Sequence, residues 1–174
     1  MKWNTRELCL DALLVALVTM CTMVIRIPVA ATSGYIHLGD SMILLIGLFF
    51  GRRRGAIAGG VGSALADFLS GYAHWVVFTL IIKALMGWLA GAVCDFQGDG
   101  SKLFTLRNGA AVLLAEVWMV IGYLLGGAVL KSSFAVSLAS VPENCVQAIG
   151  GILVFSVLAV AFCRAKIYRF VTRG

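Results

Sequence analysis

The run Asp40–Gly55, D-S-M-I-L-L-I-G-L-F-F-G-R-R-R-G, sets a short apolar stretch directly against three arginines. At about 1.5 Å per helical residue, Asp40–Phe50 covers only about half of a hydrocarbon core roughly 30 Å thick. Working outward, apolar stretches run over 7–25, 40–50, 55–70, 75–91, 107–130 and 143–163. Lys2 and Arg6 precede the first, and Arg52, Arg53 and Arg54 join the second to the third. Lys102 and Arg107 lie between the fourth and fifth, and Arg164, Lys166, Arg169 and Arg173 follow the last. Of the fourteen Lys and Arg residues, the opposite connections hold only Arg26 and Lys131, and Lys83 lies inside a stretch. Cytoplasmic loops collect Lys and Arg, so both termini are expected in the cytoplasm. The expected fold is an all-α integral membrane protein, a six-transmembrane-helix bundle forming one domain over 1–174.

Composition agrees. Apolar residues make up 61% of the 174, against roughly 45–50% for soluble domains, and mean hydropathy is +0.99. Lipid is the solvent for such a surface. The net charge of +6 then reflects orientation and contact with anionic lipid, not nucleic acid. Cys9, Cys21, Cys94, Cys145 and Cys163 show no metal or disulfide spacing and read as small packing residues. The first stretch has the basic flank of a signal peptide, but Asp11 interrupts it and five more stretches follow, so it reads as helix one.

Because helix two is short, something non-helical must stand beside its outer half. The candidate is Arg26–Gly39, R-I-P-V-A-A-T-S-G-Y-I-H-L-G. Irregular backbone at membrane depth is tolerated only when buried in protein or lining a cavity. The long first outer loop is therefore expected to fold into the mouth of the bundle as a lid; the alternative is a helix two that begins earlier, near Tyr35. Small residues recur every fourth position in helix three (Gly55, Gly59, Ser63, then Asp67) and in helix four (Thr79, then Lys83, Gly87, Gly91). Such stripes let helices approach closely in lipid, so Asp67 and Lys83 are expected to face the interior. Helix one carries Ala12 and Ala16, another pair at that spacing.

A charge inside the membrane costs at least about 2.5–3.5 kcal/mol and needs a reason. Lys83 and Glu116 lie about 12 and 14 Å from the inner ends of their helices. Matched depth and opposite sign suggest an ion pair, either closing the bundle or reaching a polar substrate. Near the outer face collect Tyr35 and His37 on the loop, Asp67, Tyr72, His74 and Trp75 around the third connection, Tyr123 on helix five, and Asn144 and Gln147 on helix six. Aromatics at that depth also form interfacial belts, but Gln147 sits a turn inside its helix and needs a partner. Amides with aromatic rings suit a small neutral heteroaromatic, stacked and hydrogen-bonded at its edge. No metalloprotease, nucleophile-elbow or phosphate-loop motif occurs, and His37 and His74 stand too far apart in sequence to suggest a metal. No catalytic residue, cofactor or metal is expected.

The segments G-Y-I-H-L-G-D-S (Gly34–Ser41), G-G-V-G-S-A-L-A-D-F-L-S-G-Y (Gly59–Tyr72), F-T-L-I-I-K-A-L-M-G (Phe78–Gly87) and P-E-N-C-V-Q (Pro142–Gln147) resemble the substrate-binding S components of energy-coupling factor (ECF) vitamin transporters. Within that family the chain looks nearest the hydroxymethylpyrimidine or pyridoxine group. The resemblance implies capture of a vitamin at the outer face, under the first loop and the loop between helices three and four. It also implies docking on a transmembrane coupling subunit driven by two cytoplasmic ATPases. The family's A-x-x-x-A docking motif is matched by Ala12 and Ala16, and its lysine near the pocket floor suggests a dual role for Lys83. The reading is a vitamin-binding subunit of an ATP-driven importer in the cell membrane. The rival is a small membrane enzyme using Asp67, His74 and Glu116 on a lipid-soluble substrate; another vitamin specificity within the same family is the nearer alternative.

Overall fold

A computed structural model describes residues 4–24, 26–29, 34–96 and 103–166. Six long helices carry the chain: α1 (Thr5–Val24), α2 (Gly39–Phe50), α3 (Arg52–Leu69), α4 (Val76–Val93), α5 (Leu106–Leu130) and α7 (Val141–Arg164). Two features join them that the apolar pattern does not announce. Between α1 and α2, Arg26–Val29 (β1) and Gly34–His37 (β2) form an antiparallel hairpin pairing Arg26 with His37 and Val29 with Gly34. The bundle is helical as expected, with this one two-stranded hairpin in its first connection. A short helix α6 (Phe134–Leu138) links α5 to α7, capped by the Ser133 hydroxyl, which accepts from the Val136 N–H at 3.3 Å. Among the described residues, four helices (α1, α4, α5 and the Phe134–Arg164 segment) are long and apolar enough to cross a membrane; α2 is apolar but short.

Helix α2 is the axis of the bundle. Every residue from Gly39 to Phe49 is buried, so a helix too short to span is walled by protein on all sides, as a membrane interior demands of a half-length element. It begins at Gly39, not near Tyr35, because the preceding residues are committed to β2. The arginines Arg52–Arg54 are not a loop, as the charge pattern suggested, but the first turn of α3: Gly51, at φ 87°, reverses the chain alone. Cations at a helix N-terminus oppose its dipole, and Arg54 offsets this by pairing with Asp11 of α1 at 3.1 Å.

The small-residue stripes of α3 and α4 face each other. A Cβ on Gly55 would lie 2.5 Å from the Gly87 carbonyl oxygen, and one on Gly59 would lie 2.7 Å from that of Lys83. Gly47 of α2 meets the same strip, where an added Cβ would lie 3.0 Å from the Gly87 oxygen. Three backbones therefore converge where side chains would keep them apart. Helix α1 joins through Gly62 of α3, whose carbonyl accepts from the Thr19 hydroxyl at 2.9 Å. Helix α5 joins α4 through Gly122, packed on Ile82, and through the Trp118 indole N–H, which donates to the Ile82 carbonyl at 3.0 Å.

The close approach is testable. Gly55→Ala is expected to cost about 1–3 kcal/mol by forcing α3 off α4, read as a lower thermal midpoint of the detergent-solubilised chain. Gly150→Ala, whose nearest neighbour would be Leu38 Cδ2 at 3.9 Å, is expected to be neutral or stabilising. Equal midpoints for the two variants would contradict the convergence.

Candidate functional site

The connections α1–α2, α3–α4 and α5–α7 come together at one end of the bundle, opposite Arg52–Arg54, and between them lies a cleft of about 510 Å³ including its open mouth. Each wall has a local cause. Helix α3 ends in a Schellman motif: Gly71 takes φ 86°, and the Tyr72 N–H donates back to the Asp67 carbonyl at 2.9 Å. That return sets Tyr72 beside Asp67 at the rim and aims Trp75 inward from the start of α4. Trp75 meets the Tyr123 ring edge-on, with centroids 5.6 Å apart, and the Tyr123 hydroxyl donates to Thr79 Oγ1 at 3.2 Å. On the facing wall, Pro142 in the first turn of α7 carries the chain into Glu143, Asn144 and Gln147.

Beneath the cleft lies a buried charge network. Lys83 is 0% exposed, and its Nζ pairs with Oδ1 of Asp40, also 0% exposed. The Lys83–Glu116 pair expected from matched depth is therefore corrected: the ammonium is taken by the first turn of α2. Asp40 accepts a second bond, from Gln147 Nε2 at 2.8 Å, and Gln147 Oε1 accepts from the His37 backbone N–H at 3.2 Å. Lys83 Nζ also stands 5.3 Å from the Tyr123 ring centroid, a cation–π distance. Glu116 is 2% exposed, and neither of its oxygens has a hydrogen-bond partner among the described residues. It packs beside the network across Gly151, whose Cβ would fall 3.0 Å from Glu116 Oε1 and 3.2 Å from Asp40 Cβ.

His37 ends the hairpin with its ring buried. Its Nδ1 accepts from the Gly39 N–H at 3.0 Å, so the ring is neutral and its proton is on Nε2. Burial lowers its pKa to about 4, with the Asp40 carboxylate pulling the other way and Lys83 adding to the lowering.

Of the residues singled out in the sequence, His37, Asp67, Tyr72, Trp75, Tyr123, Asn144 and Gln147 line the cleft. His74 does not; it is exposed, with its ring 6.2 Å from Trp75. Lys83 and Glu116 lie below the floor, and the Tyr35 side chain falls outside the described residues. Thr79, Lys131, Ser140 and Glu143 also line the cleft and were missed. Asp40 was missed too, although a carboxylate at the head of an apolar half-helix was a visible signal. No cluster of metal-ligating side chains occurs among the described residues. Ala12 and Ala16 are exposed on α1, on the face away from its buried Asp11, Leu14, Val18, Thr19 and Thr22.

The family model of the ECF-type riboflavin transporter S component matches residues 2–164. The thiamine precursor transporter HmpT of Lactococcus lactis subsp. cremoris (strain MG1363) is 30% identical over 157 residues, covering 90% of this chain and 87% of that protein. An uncharacterized protein from a gap 3′ region of Pyrococcus woesei is 38% identical over 137 residues, covering 79% and 88%. With a matched span that reaches from one end of the bundle to the other, the chain belongs to the S components of ECF-type vitamin transporters, and is a multi-pass membrane transport protein rather than an enzyme.

Proposed function

We propose that this chain is the substrate-binding subunit of an ATP-driven importer, taking a small heteroaromatic vitamin or vitamin precursor at the outer face of the cell membrane. The observation that carries the reading is the cleft itself: aromatic walls from Trp75 and Tyr123, amides from Asn144 and Gln147, and a buried ionic floor. Flat rings stack on such walls and find edge partners in the amides. Hydroxymethylpyrimidine, pyridoxine or a similar ring is the preferred ligand class, supported by the relative named as a thiamine precursor transporter. The family model named for riboflavin favours a flavin as the second reading. Six spans with both termini in the cytoplasm follow from the charge pattern, with the cleft outside and Arg52–Arg54 inside. A transmembrane coupling subunit and two cytoplasmic ATPases are the proposed partners, since the chain holds no phosphate-binding loop. Mass spectrometry of small molecules co-purified with the chain tests the reading directly: a pyrimidine, pyridine or flavin is expected, and a ligand-free chain that binds none of them refutes it.

Gln147 touches both the cleft and the floor. Gln147→Leu keeps the volume but leaves the His37 N–H and one Asp40 oxygen unpaired, and is expected to weaken ligand binding by about 1–3 kcal/mol. Calorimetry or tryptophan quenching reads it, and unchanged affinity would remove Gln147 from the site.

Breaking one side of a buried ion pair typically costs about 3–5 kcal/mol. Lys83→Met is expected to lower the thermal midpoint accordingly, and adding Asp40→Asn to recover much of the loss. Binding that stays impaired in the recovered double variant assigns Lys83 a part in holding the ligand; binding that returns with stability assigns the pair to structure alone.

Ala12 and Ala16 are the proposed docking face for the coupling subunit. Tryptophan at either position would hold a partner helix away. Uptake in cells is expected to fail while the purified variant binds ligand like the parent. Lost binding in the purified variant would contradict the assignment.

A further inference from the structure

On the opposite half of the bundle, away from the cleft, α5 and α7 part to leave a second groove of about 770 Å³ including its open side. Its floor and walls are Leu48, Val112, Ile152 and Phe155, with Gly109 at one edge. Toward the end of α7 it meets a further hollow that shares Leu103 and Phe104 and ends at Arg164. The polar groups within it are already occupied. Ser156 Oγ donates to the Ile152 carbonyl at 2.7 Å. Asn108 donates to the Leu103 carbonyl at 3.2 Å and accepts from the Asp95 N–H at 3.0 Å. The Thr105 hydroxyl accepts from the Asn108 N–H at 3.2 Å. Nothing here solicits a polar ligand. The rim is apolar as well, with Leu113 59% and Phe104 67% exposed, so the groove opens on hydrocarbon.

Its end is cationic. Arg164 is exposed there and forms no ion pair among the described residues. Asp95 is the carboxylate nearby, and its Oδ1 accepts from the Thr105 hydroxyl at 3.4 Å. We propose that this groove is a binding site for an anionic glycerophospholipid, one acyl chain lying between α5 and α7 and the phosphate meeting Arg164. On the proposed orientation, that end faces the cytoplasmic leaflet, where anionic lipids concentrate. An apolar slot with a basic mouth matches both halves of such a lipid. A neutral lipid would satisfy only the slot, and a soluble anion only the mouth.

Native mass spectrometry of the detergent-purified chain, titrated with palmitoyl-oleoyl phosphatidylglycerol and with phosphatidylcholine of the same chains, tests this. The parent is expected to hold one phosphatidylglycerol in preference to phosphatidylcholine. Gly109→Phe plugs the groove from a position where an added Cβ meets nothing within 4 Å, and is expected to remove most of that adduct. Arg164→Gln, at the exposed end of α7, is expected to cut the preference for phosphatidylglycerol about fivefold while leaving the thermal midpoint near that of the parent. Equal binding of the two lipids by the parent, or a preference untouched by Arg164→Gln, overturns the proposal. So does a Gly109→Phe chain that keeps its lipid but no longer assembles with a coupling subunit, which would assign the groove to a protein helix.

Discussion

The pairing of Lys83 with Asp40 is the interaction on which the bundle depends. An ammonium wholly removed from water in a membrane protein has no solvent to fall back on, and its desolvation is offset only by a partner of opposite charge at contact. Asp40 can supply that contact because α2 starts at Gly39, already buried by protein, rather than at the surface. The late start in turn requires the hairpin β1–β2 to carry the chain down to that depth. Length of helix, form of loop and placement of charge are thus one constraint. Lengthening α2 by a turn at its head would lift its first residues out of the protein wall that buries them and move Asp40 away from Lys83.

Glycine makes the contact geometrically possible. Lys83 is brought to Asp40 because α4 lies against both α3 and α2 along Gly55, Gly59, Gly87 and Gly47. Without those backbones in contact, the lysine stem would have to bridge a wider gap and water would enter with it. The same strip runs up α4 to Thr79, which receives the Tyr123 hydroxyl and so fixes one wall of the cleft. Helix packing in the lower half and site geometry in the upper half are consecutive parts of one α4 face.

Much of this was legible from length and spacing. The shortness of Asp40–Phe50 and the two small-residue stripes each report on one helix at a time, and a single sequence carries that kind of information well. What it carries poorly is rotation between helices. Matching Lys83 to Glu116 by depth used axial position alone, but which carboxylate meets the ammonium depends on the azimuth of α2 and on how far the hairpin lowers it. The hairpin itself has no strict alternation to betray it, holding Pro28 in one strand and Gly34 in the other. Thr79 and Ser140 were unreadable for another reason: in lipid, small hydroxyl residues commonly satisfy themselves on the preceding turn, so their sequence signal is indistinguishable from packing. Asp40 is the instructive miss, because treating it as the boundary of a stretch concealed that a boundary half-way through a membrane is still inside it.

Gln147 connects these parts. Its amide accepts from the hairpin backbone at His37 and donates to Asp40 below, while its own helix, α7, forms the far wall of the cleft. Gly151, one turn further along, removes the side chain that would otherwise push α7 off α2. The amide keeps a second N–H and a second oxygen lone pair for a partner in the cleft, but any shift of its plane loosens either the hairpin or the charged floor. Gln147 thus joins two elements at once: the strand β2 at the cleft and the ion pair that anchors α2. The hairpin, the far wall of the cleft and the charged floor meet at a single side chain, apart from the α3–α4 glycine seam.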